Sequence, residues 1–271
     1  MSRLEDAIAA GRFVVTAELL TVNSGGLPKV HELFAPYEEY VDAVNATDNT
    51  AAHAHASPLS VAIALQQFGM EPIMQLVCRD RNRLALEAEI VGAALHGIEN
   101  ICCLTGDDVT AGDEPEARRV FDLDSIQLLA TANTMRKGTY LSGRKIDPPP
   151  RLFLGAVENP QAPPQGYRVE RAEKKVRAGA QFLQLQVGFE LGPLATASAM
   201  KRSSGLAERV AILPSICLVR TAKSLRYIDE HVPGISVPAA LIDRVESSAD
   251  PETECFEIGR ASCRERVFSS V

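Results

Sequence analysis

Seven short apolar runs, separated by segments that carry helix signals, dominate this sequence. They recur at intervals of roughly thirty residues, with one longer gap after the fourth run. Near-continuous apolar runs of this length are typical of parallel strands buried on both faces, and parallel strands need a long, usually helical, connection between them. The predicted strands are Phe13–Leu20, Tyr40–Ala46, Pro72–Cys78, Asn100–Leu104, Leu152–Val157, Gln181–Val187 and Val210–Leu213.

The connections between these runs begin and end with helix signals. A side chain that can accept a backbone hydrogen bond starts each predicted helix, and a glycine ends it. Two of the caps are followed at capping-box spacing by Glu5 and Gln127, and Pro58 occupies the first helical position after its cap. The predicted caps and stops are Ser2 and Gly11, Ser57 and Gly69, Asn82 and Gly97, and Asp124 and Gly138.

The number of strand–helix units indicates the fold class. Seven such units in a chain of 271 residues fit a (β/α)8 barrel better than an open, doubly wound sheet. The Gly-x-Gly-x-x-Gly pattern of dinucleotide-binding sheets does not follow the first run. We therefore predict an α/β fold, a (β/α)8 TIM barrel that lacks its eighth βα unit.

The C-terminal segment contains a match to a laboratory sequence. Residues Glu257–Val267 are identical to one reading frame of a widely used short-read sequencing adapter. We predict that residues 1–256 form a single TIM-barrel catalytic domain, incomplete at its C-terminus, and that residues 257–271 are a non-native tail. The alternative is a native, Arg-rich C-terminal helix.

Composition and charge exclude several functional classes. The chain has 28 Lys and Arg against 35 Asp and Glu, a net charge of −7, which gives no electrostatic reason to bind nucleic acid or an anionic membrane. No apolar run reaches the ~18 residues of a membrane span. The six cysteines are scattered and form no Cys-x-x-Cys pair, which is typical of proteins whose thiols stay reduced in the cytosol. We expect a cytoplasmic protein.

In a barrel of this kind, the polar residues at the carboxyl ends of the strands carry the chemistry. These are Glu18; Asn45, Thr47 and Asp48; Gln75, Arg79 and Asp80; Thr105, Gly106 and Asp107; Glu158 and Asn159; and Gln184, Gln186 and Glu190. Glu18 interrupts an otherwise apolar strand, so desolvation should raise its pKa and suit it to proton donation near neutral pH. The alternative is a glutamate paired with a Lys or Arg beneath a loop.

Six segments occur in an order and spacing that resemble the methylenetetrahydrofolate reductase family, between about Gly11 and Val245. They are Tyr40–Asn45, Leu76–Arg83, Gly97–Asp107, Lys175–Ala180, Gln184–Gln186 and Ile212–Pro214. The resemblance implies a TIM barrel in one-carbon metabolism and methionine biosynthesis. It also implies that NADH or NADPH reduces bound FAD, and that 5,10-methylenetetrahydrofolate is then reduced to 5-methyltetrahydrofolate.

The same resemblance assigns roles to four residues. Glu18 matches the general acid that protonates a folate nitrogen as the five-membered ring opens. Asp107 matches an aspartate beside flavin and substrate, whose charge can stabilise an iminium cation. Gln186 matches a glutamine that contacts folate and nicotinamide. Lys175 matches a basic residue that faces the FAD phosphates.

The remaining predicted cofactor contacts also follow from the resemblance. Phe121, Asp122, Leu123 and Asp124 fall where the family's loop surrounds the adenosine half of FAD, although Asp124 can equally be a plain helix cap. Asn45 and Thr47 lie in the second-strand loop beside the flavin ring, and Gly106 and Asp107 follow the fourth strand. Three further predicted contacts lie at positions that usually touch the flavin but differ from those of familiar members. Gln75 replaces a His, Thr105 an Arg and Val157 a Tyr.

Two other functions remain open. One is a noncatalytic or assembly subunit of the same fold, and the other is a further folate or one-carbon barrel enzyme such as a methyltransferase. The expected partner is a folate, with a second copy of the chain or a redox partner subunit as further options. His53 and His55 could ligate a metal, but two histidines without further ligands are more often solvated, so we predict no metal site.

Overall fold

The computed structural model describes residues 1–19, 21–189 and 205–268. The chain divides into two compact units: unit 1 comprises Met1–Ala156 and Arg177–Gln181, and unit 2 comprises Val157–Val176 and Phe182–Val271. Two residues named in the sequence analysis, Leu20 at the end of the first predicted strand and Glu190, lie outside the described residues.

Unit 1 contains a parallel sheet whose strands neighbour each other in chain order. Strand β1 pairs with β2, β2 with β3, β3 with β4, and β4 with the first part of β5. The bounds are Thr16–Glu18 for β1, Ala43–Ala46 for β2, Pro72–Val77 for β3, Asn100–Leu104 for β4 and Phe153–Glu158 for β5. Sequential parallel pairing of strands that are separated by helices confirms the predicted α/β class.

Five α-helices accompany these strands in unit 1. They are α1 (Arg3–Ala9), α2 (Gly26–Phe34), α3 (Pro58–Gln67), α4 (Arg83–Leu95) and α5 (Ser125–Arg136). Helix α3 packs on β2 and β3, and α5 packs on β4. Since β2 and β3 are buried along their whole length, the apolar core of unit 1 lies between this sheet and its helices.

The four predicted caps are present. Ser2, Ser57, Asn82 and Asp124 each accept a hydrogen bond from the backbone N–H three residues on. The capping box is reciprocal at Asp124, where the Gln127 side chain accepts the backbone N–H of Asp124 at 2.9 Å. The predicted stops Gly11, Gly69, Gly97 and Gly138 all have positive φ, the conformation in which a glycine ends a helix.

Helix α2 was not predicted from the sequence. It starts at Gly25 and Gly26, both with positive φ, and no side chain caps it. A short 3-10 helix, Ala35–Tyr40, follows it directly. The second predicted strand therefore begins three residues later than expected, and Tyr40 is exposed.

The described residues of unit 2 contain the end of β5, most of helix α6 (Arg168–Ala178), the parallel pair β6 (Phe182–Leu185) and β7 (Ala211–Leu213), and three further helices. These helices are α7 (Ala222–His231), α8 (Ala239–Glu246) and α9 (Pro251–Phe268). Leu225, Val245 and Ile258 belong to their shared apolar core. Helix α9 continues across position 257, and the assignment of 257–271 as a non-native tail stays a prediction.

All seven predicted strands are present within the described residues, although their ends differ from those expected. Strand β1 starts at Thr16 rather than Phe13, and the side chain of Phe13 is 73% exposed. Cys102 and Cys103 are fully buried on β4, as expected for cysteines that pack as small apolar side chains. None of the helices in the described ranges is both long and apolar enough to cross a membrane.

Candidate functional site

The carboxyl ends of the unit 1 strands bring several predicted site residues to one edge of the sheet. Glu18 on β1 lies opposite Asn45 on β2, and Asn45 lies opposite Ile73 on β3. Gln75 is two residues beyond Ile73 and therefore on the same face. Glu18, Asn45 and Gln75 thus share one face of the sheet, near the ends of three neighbouring strands.

Glu18 is the last residue of β1, and it is exposed to solvent. Its side chain retains solvent-accessible surface, while surrounding protein desolvates the carboxyl group and raises its pKa above the usual value of 4.5. These two properties are compatible where a side chain touches water on one side and protein on the others. In the described part of the chain, no Lys or Arg forms an ion pair with Glu18. The alternative of a glutamate paired with a cation is therefore not seen among these residues, and the general-acid role stays a prediction.

Tyr37 is a neighbour of Glu18 that the sequence did not single out. Its pKa is raised by burial and by the negative charge of Glu18. The phenol oxygen of Tyr37 is buried without a hydrogen-bond partner among the described residues. Tyr37 lies in the 3-10 helix after α2, and nothing in the local sequence relates that turn to β1.

The loop after β2 is bound to the loop after β3. Asn45 and Thr47 are buried, and the Asn45 amide donates to the carbonyl of Ala17 at 3.2 Å. The buried carboxylate of Asp48 accepts two hydrogen bonds from Arg81, at 2.6 and 3.1 Å, and one from the Val77 backbone N–H at 2.8 Å. Burial raises the pKa of Asp48, and the charge of Arg81 opposes that rise.

The loop after β4 carries Asp107. Thr105 Oγ1 accepts a hydrogen bond from the backbone N–H of Ser125 at 3.1 Å. Gly106 has φ of +94°, and a Cβ there would lie 2.4 Å from Cγ1 of Val77, so only glycine fits. Burial raises the pKa of Asp107, whereas the positive charge of Arg79 lowers it. Asp107 is therefore a partly desolvated carboxylate beside a guanidinium.

The predicted adenosine loop, Phe121–Asp124, already has local partners. Asp122 accepts hydrogen bonds from the Arg83 side chain at 2.8 and 2.9 Å and from the Arg83 backbone, and these contacts lower its pKa to about 2. Asp124 caps α5, which was the alternative reading for this residue. Leu123 is buried, and Phe121 has a φ of +38°. Contact of this loop with a cofactor stays a prediction.

Unit 2 holds a buried ionic cluster around Glu158, at the end of β5. Lys175 Nζ on α6 donates to Glu158 Oε2 at 2.6 Å and also to the carbonyl of Val157. Arg168 Nη1 lies 3.5 Å from Glu158 Oε1, and Arg171 Nε lies 3.9 Å from Oε2. Both Glu158 and Lys175 are 1% exposed. Lys175, predicted to face phosphates, is therefore part of a buried ion pair.

Gln186, the predicted folate contact, also lies in unit 2. Its backbone N–H donates to the carbonyl of Glu158 at 2.9 Å, and its side-chain oxygen accepts the N–H of Val187 at 3.0 Å. The side chain is half-buried. Its role toward folate and nicotinamide stays a prediction.

The two histidines considered as metal ligands have backbone partners. His55 Nε2 accepts the N–H of Thr50 at 3.3 Å, and its Nδ1 lies 3.0 Å from the carbonyl of Ala56. His53 is exposed, with Nδ1 at 3.0 Å from the carbonyl of Ala51. Within residues 1–19, 21–189 and 205–268, no group of three or more His, Cys, Asp or Glu could hold a metal ion.

The parallel strands with polar carboxyl ends define an α/β protein whose candidate site lies at the strand ends of unit 1. Residues 3–268 match the family model described as methylenetetrahydrofolate reductase, so the chain belongs to that family. The family resemblance stated from the sequence is therefore confirmed.

Comparison with solved structures gives the same fold class. An uncharacterized protein from Clostridium thermocellum, which binds two copies of 5-methyl-5,6,7,8-tetrahydrofolic acid, is similar over 97% of this chain and 86% of its own, with a TM-score of 0.68 and 13% identity. Tryptophan synthase from M. tuberculosis in its open form is similar over 98% and 99%, with a TM-score of 0.50 and 14% identity. No curated protein sequence matches the chain.

Proposed function

We propose that this protein reduces 5,10-methylenetetrahydrofolate to 5-methyltetrahydrofolate, with NADH or NADPH as the source of the hydride. The observation that carries the proposal is the pair of carboxyl groups, Glu18 and Asp107, at strand ends of unit 1, each with a pKa raised by burial. Membership of the family and the folate bound by the Clostridium thermocellum protein support the substrate class.

Glu18 supplies a proton in this proposal. Opening the five-membered ring of the substrate requires protonation of the nitrogen that leaves the bridging carbon. A carboxylic acid with an ordinary pKa is ionised near neutral pH, whereas desolvation keeps more of Glu18 protonated there. The proton passes from the Glu18 carboxyl to that nitrogen, and the other nitrogen forms an iminium cation with the bridging carbon.

Asp107 stabilises the positive charge in this proposal. Arg79 opposes the desolvation of Asp107 and so favours its ionised form. A carboxylate that is partly removed from water interacts more strongly with a nearby cation than one in bulk solvent. Asp107 thus lowers the energy of the iminium ion, and hydride addition to the bridging carbon then gives the methyl product.

FAD is the cofactor that the resemblance implies, but Lys175, the residue predicted to face its phosphates, does not fit that role. A diphosphate beside Lys175 would face the Glu158 carboxylate, which already accepts a hydrogen bond from the ammonium group at 2.6 Å. Asp122, in the loop predicted to surround the adenosine half of FAD, forms an ion pair with Arg83.

The second candidate is a noncatalytic folate-binding subunit of the same fold. The observation that favours it is the ion pair between Lys175 and Glu158. A protein that does not reduce folate needs no lysine to bind the phosphates of FAD. Such a protein would bind 5-methyltetrahydrofolate without forming it. Measurement of binding and of turnover separates the two candidates.

Equilibrium binding tests the folate site directly. We expect isothermal titration calorimetry to show saturable binding of 5-methyltetrahydrofolate to the protein. Asp107→Asn should weaken this binding about tenfold or more, because in this proposal the Asp107 carboxylate also accepts a hydrogen bond from an N–H group of the pterin. Asp113→Asn, a change in the same acidic loop beyond the site residues, is the matched control and should bind like the wild type. Absence of binding to the folded wild-type protein would contradict the proposal and its alternative together.

A further inference from the structure

Arg79, the residue after Cys78 at the end of β3, is a buried arginine whose hydrogen bonds diverge. Its side chain is 2% exposed. The guanidinium donates to both carboxylate oxygens of Asp80, at 2.7 and 2.8 Å, to the carbonyl of Asn49 at 3.0 Å and to the carbonyl of Asp107 at 3.3 Å. One side chain thus joins the loops after β2, β3 and β4.

The backbone of Arg79 makes two further connections. Its N–H donates to the carbonyl of Thr105 at 3.1 Å, and its carbonyl accepts the N–H of Val120 at 2.9 Å. A Cβ at Gly106 would lie 3.2 Å from Cβ of Arg79, so the Asp107 loop rests directly on the arginine. Main chain and side chain of Arg79 therefore hold the same loop from one side.

The loop after β2 has a conformation that needs such support. Asn49, Ala51 and Ala52 all have positive φ, between 45° and 62°, which is unfavourable for residues with a side chain. A Cβ at Gly112 would lie 1.9 Å from the carbonyl oxygen of Ala52, so this loop also packs tightly on the segment after Asp107. Contacts from outside the loop, including Arg79 to Asn49, must keep it in this form.

We propose that Arg79 is a positioning residue, which fixes the loops after β2 and β4 so that Asp107 is held at the folate site. This inference rests on the proposed function for the role of Asp107. Arginine suits the task because its planar fork offers five donors in fixed directions, whereas lysine offers one compact ammonium group. Lysine can keep the charge beside Asp80 but cannot reach three loops at once.

Electrostatics support the assignment made from the contacts. The charged groups around the Asp107 loop are Arg79 beneath it, Asp80 on the other edge of the guanidinium, and the Asp108–Arg119 pair on the loop's exposed side. Of these, the positive charge of Arg79 lowers the pKa of Asp107. Removing that charge should therefore raise the pKa of Asp107 and leave less carboxylate at a given pH.

The test compares Arg79→Lys and Arg79→Met by two readouts. Binding of 5-methyltetrahydrofolate is measured by calorimetry, and the pKa of Asp107 is measured by carboxyl ¹³C NMR, with the signal assigned through Asp107→Asn. We expect Arg79→Lys to weaken binding about tenfold while the pKa of Asp107 changes little. Arg79→Met should weaken binding at least as much and raise the pKa of Asp107 by about one unit.

Arg3→Lys and Arg3→Met are the matched controls. Arg3 also donates to a carboxylate and a backbone carbonyl, those of Glu71 and Gly69, but it lies at the amino-terminal side of the strands. Neither control should change folate binding or the pKa of Asp107. The assignment of Arg79 as a positioning residue would be overturned if both Arg79 variants bound folate as tightly as the wild type and left the pKa of Asp107 unchanged. Failure of Arg79→Lys to fold would overturn it as well. If the wild type binds no folate, the proposed function fails, and the NMR readout still decides whether Arg79 acts on Asp107.

Discussion

Replacing Glu18 by glutamine is expected to slow formation of 5-methyltetrahydrofolate by about 100- to 10,000-fold, the usual contribution of a general acid. Glutamine is close to glutamate in size but has no proton to donate to the leaving nitrogen. Binding of 5-methyltetrahydrofolate should change by less than about tenfold, since the product no longer needs that proton. The rate is measured anaerobically by chromatography of the folate products.

The pH dependence of the rate gives a second signature of Glu18. Burial raises its folded pKa above 4.5, and the acid form is the active form, so activity should fall as pH rises through the folded pKa. Because the folded protein holds this proton more tightly than the unfolded chain, ionisation of Glu18 lowers stability as pH rises between the two pKa values. The melting temperature of Glu18→Gln should therefore exceed that of the wild type at pH 8, and the difference should shrink toward pH 4.

Glu38→Gln is the control for both measurements. Glu38 is exposed in the 3-10 helix after α2, so its amide variant should match the wild type in rate and in melting temperature. A rate for Glu18→Gln within about tenfold of the wild type would contradict the general-acid assignment. So would a wild-type pH profile without a descending alkaline limb.

The largest effect on stability is expected at Glu158 rather than at its partner Lys175. Glu158 faces three cations, Lys175, Arg168 and Arg171. Glu158→Gln removes the carboxylate that these cations share, so positive charge stays in a buried site without its anion. We expect this change to lower the free energy of unfolding by about 3 to 5 kcal/mol. Lys175→Met leaves Glu158 with two cations, and we expect a smaller loss.

Urea unfolding followed by far-ultraviolet circular dichroism measures both losses. In the double variant, Glu158→Gln with Lys175→Met, one buried cation and the carboxylate are removed together, so the loss should be less than the sum of the single losses. Lys174→Met is the control, because Lys174 pairs with Glu170 on the exposed side of α6 and should cost less than about 1 kcal/mol. If Lys175→Met lowered the free energy of unfolding as much as Glu158→Gln or more, this would contradict an arrangement in which several cations share the Glu158 carboxylate.

Strands and helix ends were the most predictable features of this chain. A buried parallel strand is apolar on both faces, so its signal lies within a few consecutive residues, as in Pro72–Val77. The caps at Ser57 and Asp124 are equally local, because the donor lies three residues from the acceptor. Strand β1 was predicted too long, since Phe13 is apolar but has no place in the core.

Contacts between distant residues account for what the sequence did not reveal. Arg79 was recognised as a polar residue after a strand, but its contacts with Asn49 and Asp107 join residues about thirty positions apart. The pairing of Lys175 with Glu158 likewise depends on how α6 packs on the end of β5. The raised pKa of Glu18 was expected because its flanking residues are apolar, and that signal is local.

One anaerobic turnover experiment tests the central claim most directly. The wild type and Glu18→Gln are each incubated with 5,10-methylenetetrahydrofolate and NADH or NADPH, with and without FAD, and the products are identified by mass spectrometry. We expect the wild type to form 5-methyltetrahydrofolate and Glu18→Gln to form at least about 100-fold less. Absence of product from the folded wild type with either nicotinamide, both with and without FAD, would contradict that claim.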